Sequence, residues 1–230
     1  MTEFILASKS PRRQILLRNL IDLFIVMEAD LSEVMQPGEK SADFVLRMAS
    51  EKALTTAKKM DQSTIKDVVI IAADTIVVDG NEILGKPKNE GDAKIILDRL
   101  RGRNHQALSG ITVYQRETGT TLSKLVPTEV WMREYSEKEI RDYIDTGDPL
   151  DKAGAYAIQN DSFSPVQKIE GCFANVMGMP LCHLSLLLRE LNLEINSNIA
   201  DLCQESIQYQ CPVYSTILAG ETEKPMSVLL

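Results

Sequence analysis

Short apolar runs alternate with amphipathic segments along most of this chain. Continuous apolar runs at residues 4–7 and 68–73 are typical of strands buried on both faces of a sheet. Apolar residues at intervals of three and four predict a helix over residues 41–59. Residues 105–114 and 120–132 predict two long antiparallel strands. This mixture predicts an α/β protein, either one domain or two lobes.

Two later segments complete the predicted framework. Asn89 can cap a helix that runs to Leu100, with Ile95, Ile96 and Leu100 facing inward. Residues 155–159 have the apolar pattern of a short strand that leaves a polar loop.

The first apolar run leads directly into a predicted helix start that suits an anion. Ser10 is a suitable N-cap, and Pro11 suits the first helical position because it lacks an N–H group. The free N–H groups of such a terminus attract negative charge, and Ser8, Arg12 and Arg13 add further donors. A polyphosphate is the expected ligand. The alternative is an ordinary capped helix whose arginines face water.

Three charged residues stand where their charge requires an explanation. Asp74 interrupts the apolar run that begins at residue 68, and a buried carboxylate needs a cation, a metal or several hydrogen bonds. Lys52 lies near the apolar face of the 41–59 helix, where a lysine commonly extends to water. Glu33 lies in a polar stretch, so it either has a functional role or is an ordinary surface glutamate. Asp74 is the strongest candidate for function, although an aspartate that caps a bulge remains possible.

Residues 147–154 combine turn-forming and charged residues, which predicts a shaped loop. Asp151 and Lys152 in this loop either bind a ligand or form a stabilising ion pair. Lys86 precedes a proline, which favours an extended backbone at the lysine.

Composition excludes several classes of function. The chain has 230 residues and a formal net charge of −8, which argues against general affinity for nucleic acid. No apolar stretch approaches the length of a membrane span, so we expect a cytoplasmic protein without a membrane partner. The four cysteines lack zinc-type spacing, and free thiols are expected, with a Cys203 to Cys211 disulfide as the less favoured alternative.

Six motifs occur in a fixed order along the chain. They are Ser8-Lys9-Ser10-Pro11-Arg12-Arg13, Asp74-Thr75, Gly85-Lys86-Pro87, the His105 to Gly110 segment, Asp151-Lys152-Ala153-Gly154 and Asn175-Val176-Met177-Gly178-Met179-Pro180. With these motifs the chain resembles, over residues 4–193, the Maf family of nucleoside triphosphate pyrophosphatases. Lys9 departs from the family pattern, which often has a small residue between the two serines.

The resemblance implies a fold and an activity. It implies an elongated, curved mixed sheet with flanking helices and two lobes around a cleft, similar to inosine triphosphate pyrophosphatases. It also implies hydrolysis of a nucleoside triphosphate to the monophosphate and pyrophosphate, with Mg²⁺ or Mn²⁺ as cofactor. A homodimer is expected from the family and from the prevalence of two-fold assemblies. The domain would span residues 1–195, followed by a C-terminal extension of unknown role over 196–230.

The resemblance also suggests a role for each candidate residue. Asp74 would act as general base or position the attacking water, and would hold the metal together with Glu33. Base selection would depend on Arg12, Thr75 and Gln159, which match the subgroup that hydrolyses dTTP and UTP. The remaining substrate-binding residues would be Ser8, Ser10, Arg13, Lys52, Lys86, Asp151 and Lys152.

Two other functions use similar features. A non-enzymatic regulator of septum formation or cell division would need the cationic pocket but not Asp74 within an apolar strand. Nucleotidyl transfer to a sugar phosphate would show a rate that depends on the acceptor.

Overall fold

A computed structural model describes residues 2–60 and 67–220, together with the backbone of 227–229. These residues form one eight-stranded mixed sheet and eight α-helices. Seven strands follow the spatial order β2-β1-β3-β5-β6-β7-β8, and β4 pairs with β3 outside that path. Residues 221–226 and 230 of the predicted extension lie outside the described residues, as do Met1 and residues 61–66 of the predicted domain.

The strands and helices have these bounds in chain order. The strands are β1 Glu3–Leu6, β2 Ile25–Val26, β3 Val68–Asp79, β4 Glu82–Leu84, β5 Asn104–Gln115, β6 Thr120–Met132, β7 Val166–Glu170 and β8 Ser227–Leu229. The helices are α1 Pro11–Arg18, α2 Ser41–Lys59, α3 Glu90–Leu100, α4 Glu137–Asp145, α5 Phe173–Val176, α6 Leu181–Glu190, α7 Ile199–Ile207 and α8 Tyr214–Leu218.

Strand β3 is only partly paired on one of its edges. Its antiparallel ladder with β5 is continuous from Val69 to Val78. On the other edge it pairs with β1 as far as Ile71, and with β4 from Val77 onward. The stretch between Ile71 and Val77 therefore borders a gap in the sheet, and α1 begins just after the end of β1.

The two faces of β3 pack against different helices because side chains alternate along a strand. Val69, Ile71 and Ala73 belong to the large apolar core that also contains buried residues of α1, α3, α4, α6, α7 and α8. Ile70 and Ala72 belong to a second cluster, which contains buried residues of α2. Helix α2 thus covers one face of the sheet, and the other large helices cover the opposite face.

The predicted mixed α/β architecture is confirmed, and two local predictions are wrong. Residues 155–159 do not form a strand: a 3₁₀ turn spans Ala153–Ala155, and both Gly154 and Ala155 have positive φ, at 71° and 58°. An extended backbone is incompatible with that angle at Ala155, and the chain turns again at residues 158 and 159. Ile95 does not face inward either. Its side chain is 67% exposed, because the buried face of α3 follows the helical repeat through Ala93, Ile96, Leu97 and Leu100.

The segment after residue 195 packs against the rest of the structure. Ile199, Cys203 and Ile217 of α7 and α8 are buried in the large core. Strand β8 adds an antiparallel edge to β7. Cys172 and Cys203 are free thiols, as expected. Across the described ranges, the structure has no helix that combines the length and the apolar character needed to span a membrane.

Candidate active site

A cavity of about 380 Å³ opens beside the gap in β3. It is bordered by the start of α1, the Glu33 segment, α2, β3, the Lys86 turn and the loop after α4. All twelve candidate residues line it, although they are spread over 152 positions of the sequence. They are Ser8, Ser10, Arg12, Arg13, Glu33, Lys52, Asp74, Thr75, Lys86, Asp151, Lys152 and Gln159.

The start of α1 forms one wall of the cavity. The Ser10 side chain caps the helix by accepting a hydrogen bond from the Arg13 backbone N–H, and Pro11 occupies the first helical position. Ser8 Oγ accepts from the Ser10 backbone N–H at 3.3 Å and from the Arg13 guanidinium at 3.2 Å. Both serine hydroxyls therefore fix the shape of this turn, which presents the positive end of the helix to the cavity.

Arg13 joins three separate parts of the chain. Its Nε donates to the Gly178 carbonyl at 3.0 Å, and its two terminal nitrogens donate to Ser8 Oγ and Thr75 Oγ1. Thr75 Oγ1 also lies 2.8 Å from Ser109 Oγ. Burial lowers the pKa of Arg13, and the charge of Asp74 acts in the opposite direction. The guanidinium is thus held in one orientation at the edge of the cavity.

Asp74, Lys52 and Glu33 form the charged centre of the opposite wall. Lys52 Nζ lies 2.5 Å from an Asp74 carboxylate oxygen and 2.6 Å from a Glu33 carboxylate oxygen. Lys52 and Asp74 are buried, whereas the Glu33 side chain is 54% exposed. Asp74 points toward α2 and Thr75 toward α1 because adjacent residues of a strand face opposite ways.

The Glu33 carboxyl is shifted toward its charged form. Burial alone would raise the pKa of Glu33, but the hydrogen bond from Lys52 and the charges of Lys52, Lys86 and Arg13 together lower it. Lys86 lines the cavity with an exposed side chain. The Glu33 and Asp74 carboxylates therefore share the cavity with the positive groups of Arg12, Arg13, Lys52 and Lys86.

Lys152 is held by its own loop. Its ammonium group donates to the Asp148 carbonyl, to the Asp148 carboxylate and to the Asp151 carboxylate at 2.6 to 2.8 Å. Asp148 also accepts from Tyr143 Oη and Asn160 Nδ2. An ammonium has three protons, so these acceptors can use all of them. The stabilising ion pair that the sequence left as an alternative is present.

Asp151 also connects the two sides of the cavity. Its carboxylate lies 3.6 Å from the Arg12 guanidinium, so the loop after α4 meets the start of α1. Gln159 lies half-buried further along the same loop. Lys9, the departure from the family pattern, pairs with Glu28 at the rim, and its side chain is 70% exposed. Its charge is therefore already paired at the edge of the cavity.

Sequence reasoning did not assign roles to several residues that build this site. Tyr156 lines the cavity, and its hydroxyl lies 2.8 Å from Nε2 of the buried His105. Asn175 donates to the Ala107 and Val126 carbonyls and to Thr128, which anchors the turn that carries Gly178. In the sequence, Tyr156 lies in an apolar segment, and His105 and Asn175 belong to two of the family motifs. No local pattern indicates which distant group each one meets.

The carboxylates suit a hard divalent cation. Magnesium typically binds through one or two carboxylates and completes its shell with water and substrate phosphates. Glu33 and Asp74 meet that description, since both reach the same ammonium nitrogen. Within the described ranges, no three His, Cys, Asp or Glu side chains are grouped closely enough to hold a metal by themselves.

Most of the chain is similar to known proteins of one family. The family model for Maf-like proteins matches residues 3–191. A dTTP/UTP pyrophosphatase of Hahella chejuensis is 42% identical over 197 residues, which cover 84% of this chain and 94% of that protein. The corresponding protein of Alkaliphilus metalliredigens is 43% identical over 190 residues, covering 83% and 96%.

Another relative is similar over nearly the same part of the chain. The dTTP/UTP pyrophosphatase of Methanosarcina barkeri is 40% identical over 196 residues, covering 85% of this chain and 97% of that protein. Among solved structures, a HAM1 protein from Coxiella burnetii aligns with 17% identity and a TM-score of 0.38, covering 57% of this chain and 73% of that one. The family match and the three dTTP/UTP pyrophosphatases together show that the chain belongs to the Maf family.

Proposed function

We propose that this protein hydrolyses nucleoside triphosphates, with dTTP and UTP as preferred substrates, to the monophosphate and pyrophosphate. One observation carries the proposal: the start of α1, Arg13 and Asp74 line a single cavity, and Arg13 donates a hydrogen bond to Thr75, the residue next to Asp74. A polyphosphate chain needs positive groups along its length, and hydrolysis needs a carboxylate near one phosphorus. The relatives that share most of this chain bear the name dTTP/UTP pyrophosphatase.

In the proposed reaction, a water oxygen attacks the α phosphorus. The bond between that phosphorus and the oxygen bridging to the β phosphorus breaks, and pyrophosphate leaves with the bonding electron pair. Asp74 orients the water and accepts its proton, which then passes to solvent. Lys52 fixes the orientation of the Asp74 carboxylate, while Arg13 and the N–H groups of α1 stabilise the negative charge on the leaving group.

A divalent cation would be held by Glu33 and Asp74 and would supply neutralisation of charge on the phosphate oxygens. Mg²⁺ and Mn²⁺ both suit carboxylate and water ligands. We also place the protein in the cytoplasm, since nucleoside triphosphates are abundant there and Cys172 and Cys203 are free thiols.

The proposed base preference depends on Arg12, Thr75 and Gln159. An amide side chain offers both donors and an acceptor, which can match the alternating carbonyl and N–H groups of thymine or uracil. Gln159→Leu removes those hydrogen-bonding groups with little change in volume. We expect it to lower kcat/KM for UTP by about tenfold or more, because unpaired polar groups of the base would be desolvated.

The test of the reaction is a substrate panel with product analysis. The full-length protein is incubated with dTTP, UTP, CTP or ATP and with Mg²⁺ or Mn²⁺, in water enriched in ¹⁸O. Attack at the α phosphorus places ¹⁸O in the monophosphate and leaves pyrophosphate unlabelled. Orthophosphate as the first product, or label in the pyrophosphate, would contradict the proposal.

The same assay separates the two alternatives. A nucleotide sensor would bind dTTP without forming monophosphate, and a nucleotidyl transferase would need a sugar phosphate acceptor. A nucleotide sensor would not require the Asp74 and Glu33 carboxylates, both of which contact Lys52. Hydrolysis is therefore the function that the arrangement favours.

A further inference from the structure

The segment after residue 195 contacts the start of α5, the short helix that leads into the turn holding Arg13. The family model ends at residue 191, so α7 and α8 lie beyond the matched region. We propose that this C-terminal segment is a positioning element for the nucleotide site, acting through α5 and the Gly178 carbonyl on Arg13. Its effect on catalysis rests on the function proposed above, whereas its effect on the turn does not.

The first contact is an aromatic stack. The ring of Tyr209, after α7, stacks on Phe173 at the start of α5 with ring centroids 4.7 Å apart and an interplanar angle of 26°. Phe173 is buried. Such a pair contributes about 0.5–1.5 kcal/mol beyond the area that it buries. Tyr209 therefore restrains the first residue of a helix that is only four residues long.

Neighbouring residues extend this contact. Cys172 and Ala174, on either side of Phe173, line the same small apolar cavity as Cys203, Ile207 and Ile217 of the C-terminal segment. Cys203 and Ile217 are themselves buried. The start of α5 is thus packed against α7 and α8.

Helix α5 leads directly into the wall of the nucleotide cavity. Backbone hydrogen bonds run from Met177 to Phe173, from Gly178 to Asn175 and from Met179 to Ala174, so the turn after α5 is built on the helix itself. Val176, Met177 and Gly178 line the cavity, and the Gly178 carbonyl accepts from Arg13 Nε at 3.0 Å. Movement of Phe173 would therefore shift the carbonyl that orients Arg13.

A second connection reaches the other end of α1. The Asn196 backbone N–H donates to the Leu20 carbonyl at 3.2 Å, just beyond the last turn of α1. Helix α1 carries both Arg12 and Arg13 at its first turn. The C-terminal segment thus restrains α1 at its end and Arg13 through α5.

Tyr209 offers a matched pair of variants in the full-length chain. Its hydroxyl is buried and has no hydrogen-bond partner among the described residues. Tyr209→Phe keeps the stacked ring and removes only that unpaired hydroxyl, so the stack should be retained. Tyr209→Ala removes the ring. Ile199→Val removes one buried methylene group from α7, at a residue that does not line the cavity shared with α5. This variant serves as a control for general destabilisation.

Hydrogen exchange tests the restraint without reference to activity. We expect Tyr209→Ala to speed amide exchange in residues 173–179 by roughly tenfold, while Tyr209→Phe and Ile199→Val leave it close to that of the parent protein. Exchange in this peptide that is the same in Tyr209→Ala and in the parent protein would overturn the proposal.

A double-mutant cycle tests the route through Arg13. Tyr209→Ala should lower kcat/KM for UTP by about tenfold in the parent protein, but by less than about twofold when Arg13→Lys has already removed the bond to Gly178. Equal losses in both backgrounds would overturn the route, because a residue that only stabilises the fold would act independently of Arg13. If no variant or parent hydrolyses a nucleotide, the proposed function fails while the exchange experiment still reports on the turn.

Discussion

At the scale of single residues, the site depends on the alternation of side chains along β3. Asp74 faces α2, where Lys52 meets it, and Thr75 faces α1, where Arg13 meets it. Two adjacent residues thereby connect the carboxylate wall and the cationic wall of one cavity. Lys52 reaches Glu33 as well, so one buried ammonium group holds two carboxylates in place.

Asp74→Asn should abolish most activity while preserving the fold. The change keeps the volume of the side chain but removes the charge and the proton acceptor, and we expect kcat/KM to fall by about 100-fold or more. Lys52 retains Glu33 as a partner, so the protein should remain folded. Product formation from dTTP and a thermal melt measure the two effects.

Asp79 provides the matched control on the same strand. It is equally buried and pairs with Arg99 and Arg103, but it does not line the cavity. Asp79→Asn should lower Tm because it removes the charge that Arg99 and Arg103 share, while kcat/KM should stay within about twofold of the parent value. Equal activity losses in the two variants would refute a specific role for Asp74.

Because His105 is buried, the free energy of unfolding should depend on pH. Burial lowers the pKa of His105 to about 4, and the charge of Asp79 opposes the shift only partly. The unfolded chain binds a proton near pH 6.5 whereas the folded chain does not, so stability falls as pH decreases from 6.5 toward 4. The loss attributable to this residue is about 3 kcal/mol.

Urea denaturation of the parent protein and of His105→Gln measures this effect. Between pH 7 and pH 4, the unfolding free energy of the parent protein should fall by about 3 kcal/mol more than that of His105→Gln. A constant difference across that range would show that His105 does not stay neutral in the fold.

At the scale of elements, the close approach of α2 to β5 sets the distance between Lys52 and Asp74. Gly110 pairs with Asp74 across the β3–β5 ladder and lies against the backbone of α2. A Cβ at Gly110 would lie 2.8 Å from the carbonyl carbon of Val45. Backbone cannot yield as a flexible side chain can, so the glycine is required by packing.

Gly110→Ala should therefore displace α2 and affect both stability and catalysis. We expect a loss of about 1–3 kcal/mol in unfolding free energy, together with a lower kcat because Lys52 moves away from Asp74. Gly85→Ala is the control for stability, since a Cβ there would meet nothing within 4 Å. Similar Tm values for the two variants would contradict this account of the contact.

At the scale of the whole molecule, β2 forms one edge of the sheet and carries exposed apolar side chains. Ile25 and Val26 are 46% and 40% exposed, and Leu23 beside them is 83% exposed. An unprotected edge with apolar side chains favours association with another chain. The homodimer expected from the sequence stays a prediction, and we expect β2 to lie in its interface.

Analytical ultracentrifugation tests this prediction. The molar mass measured for the parent protein should be twice the 25.7 kDa of one chain. Ile25→Lys should yield a folded monomer, because a charge at this edge disfavours pairing between copies. A monomeric parent protein would contradict the prediction.

The sequence by itself determined the local elements and the chemistry that they carry. Ser10, Pro11 and the amphipathic 41–59 segment predicted their helices because capping and periodicity act over a few residues. Asp74 was identified because a charge within an apolar run requires a distant partner. The loop at residues 155–159 was mistaken for a strand because apolar composition alone does not reveal positive φ angles.

The tertiary structure decided which partners those residues meet. No local pattern indicates that Tyr156 meets His105 or that Tyr209 stacks on Phe173, since each pair joins segments packed by the fold as a whole. The unpaired stretch of β3, which makes room for the cavity, likewise arises from where β1 ends and β4 begins. Local chemistry is set by neighbours in sequence, whereas a site is set by distances across the core.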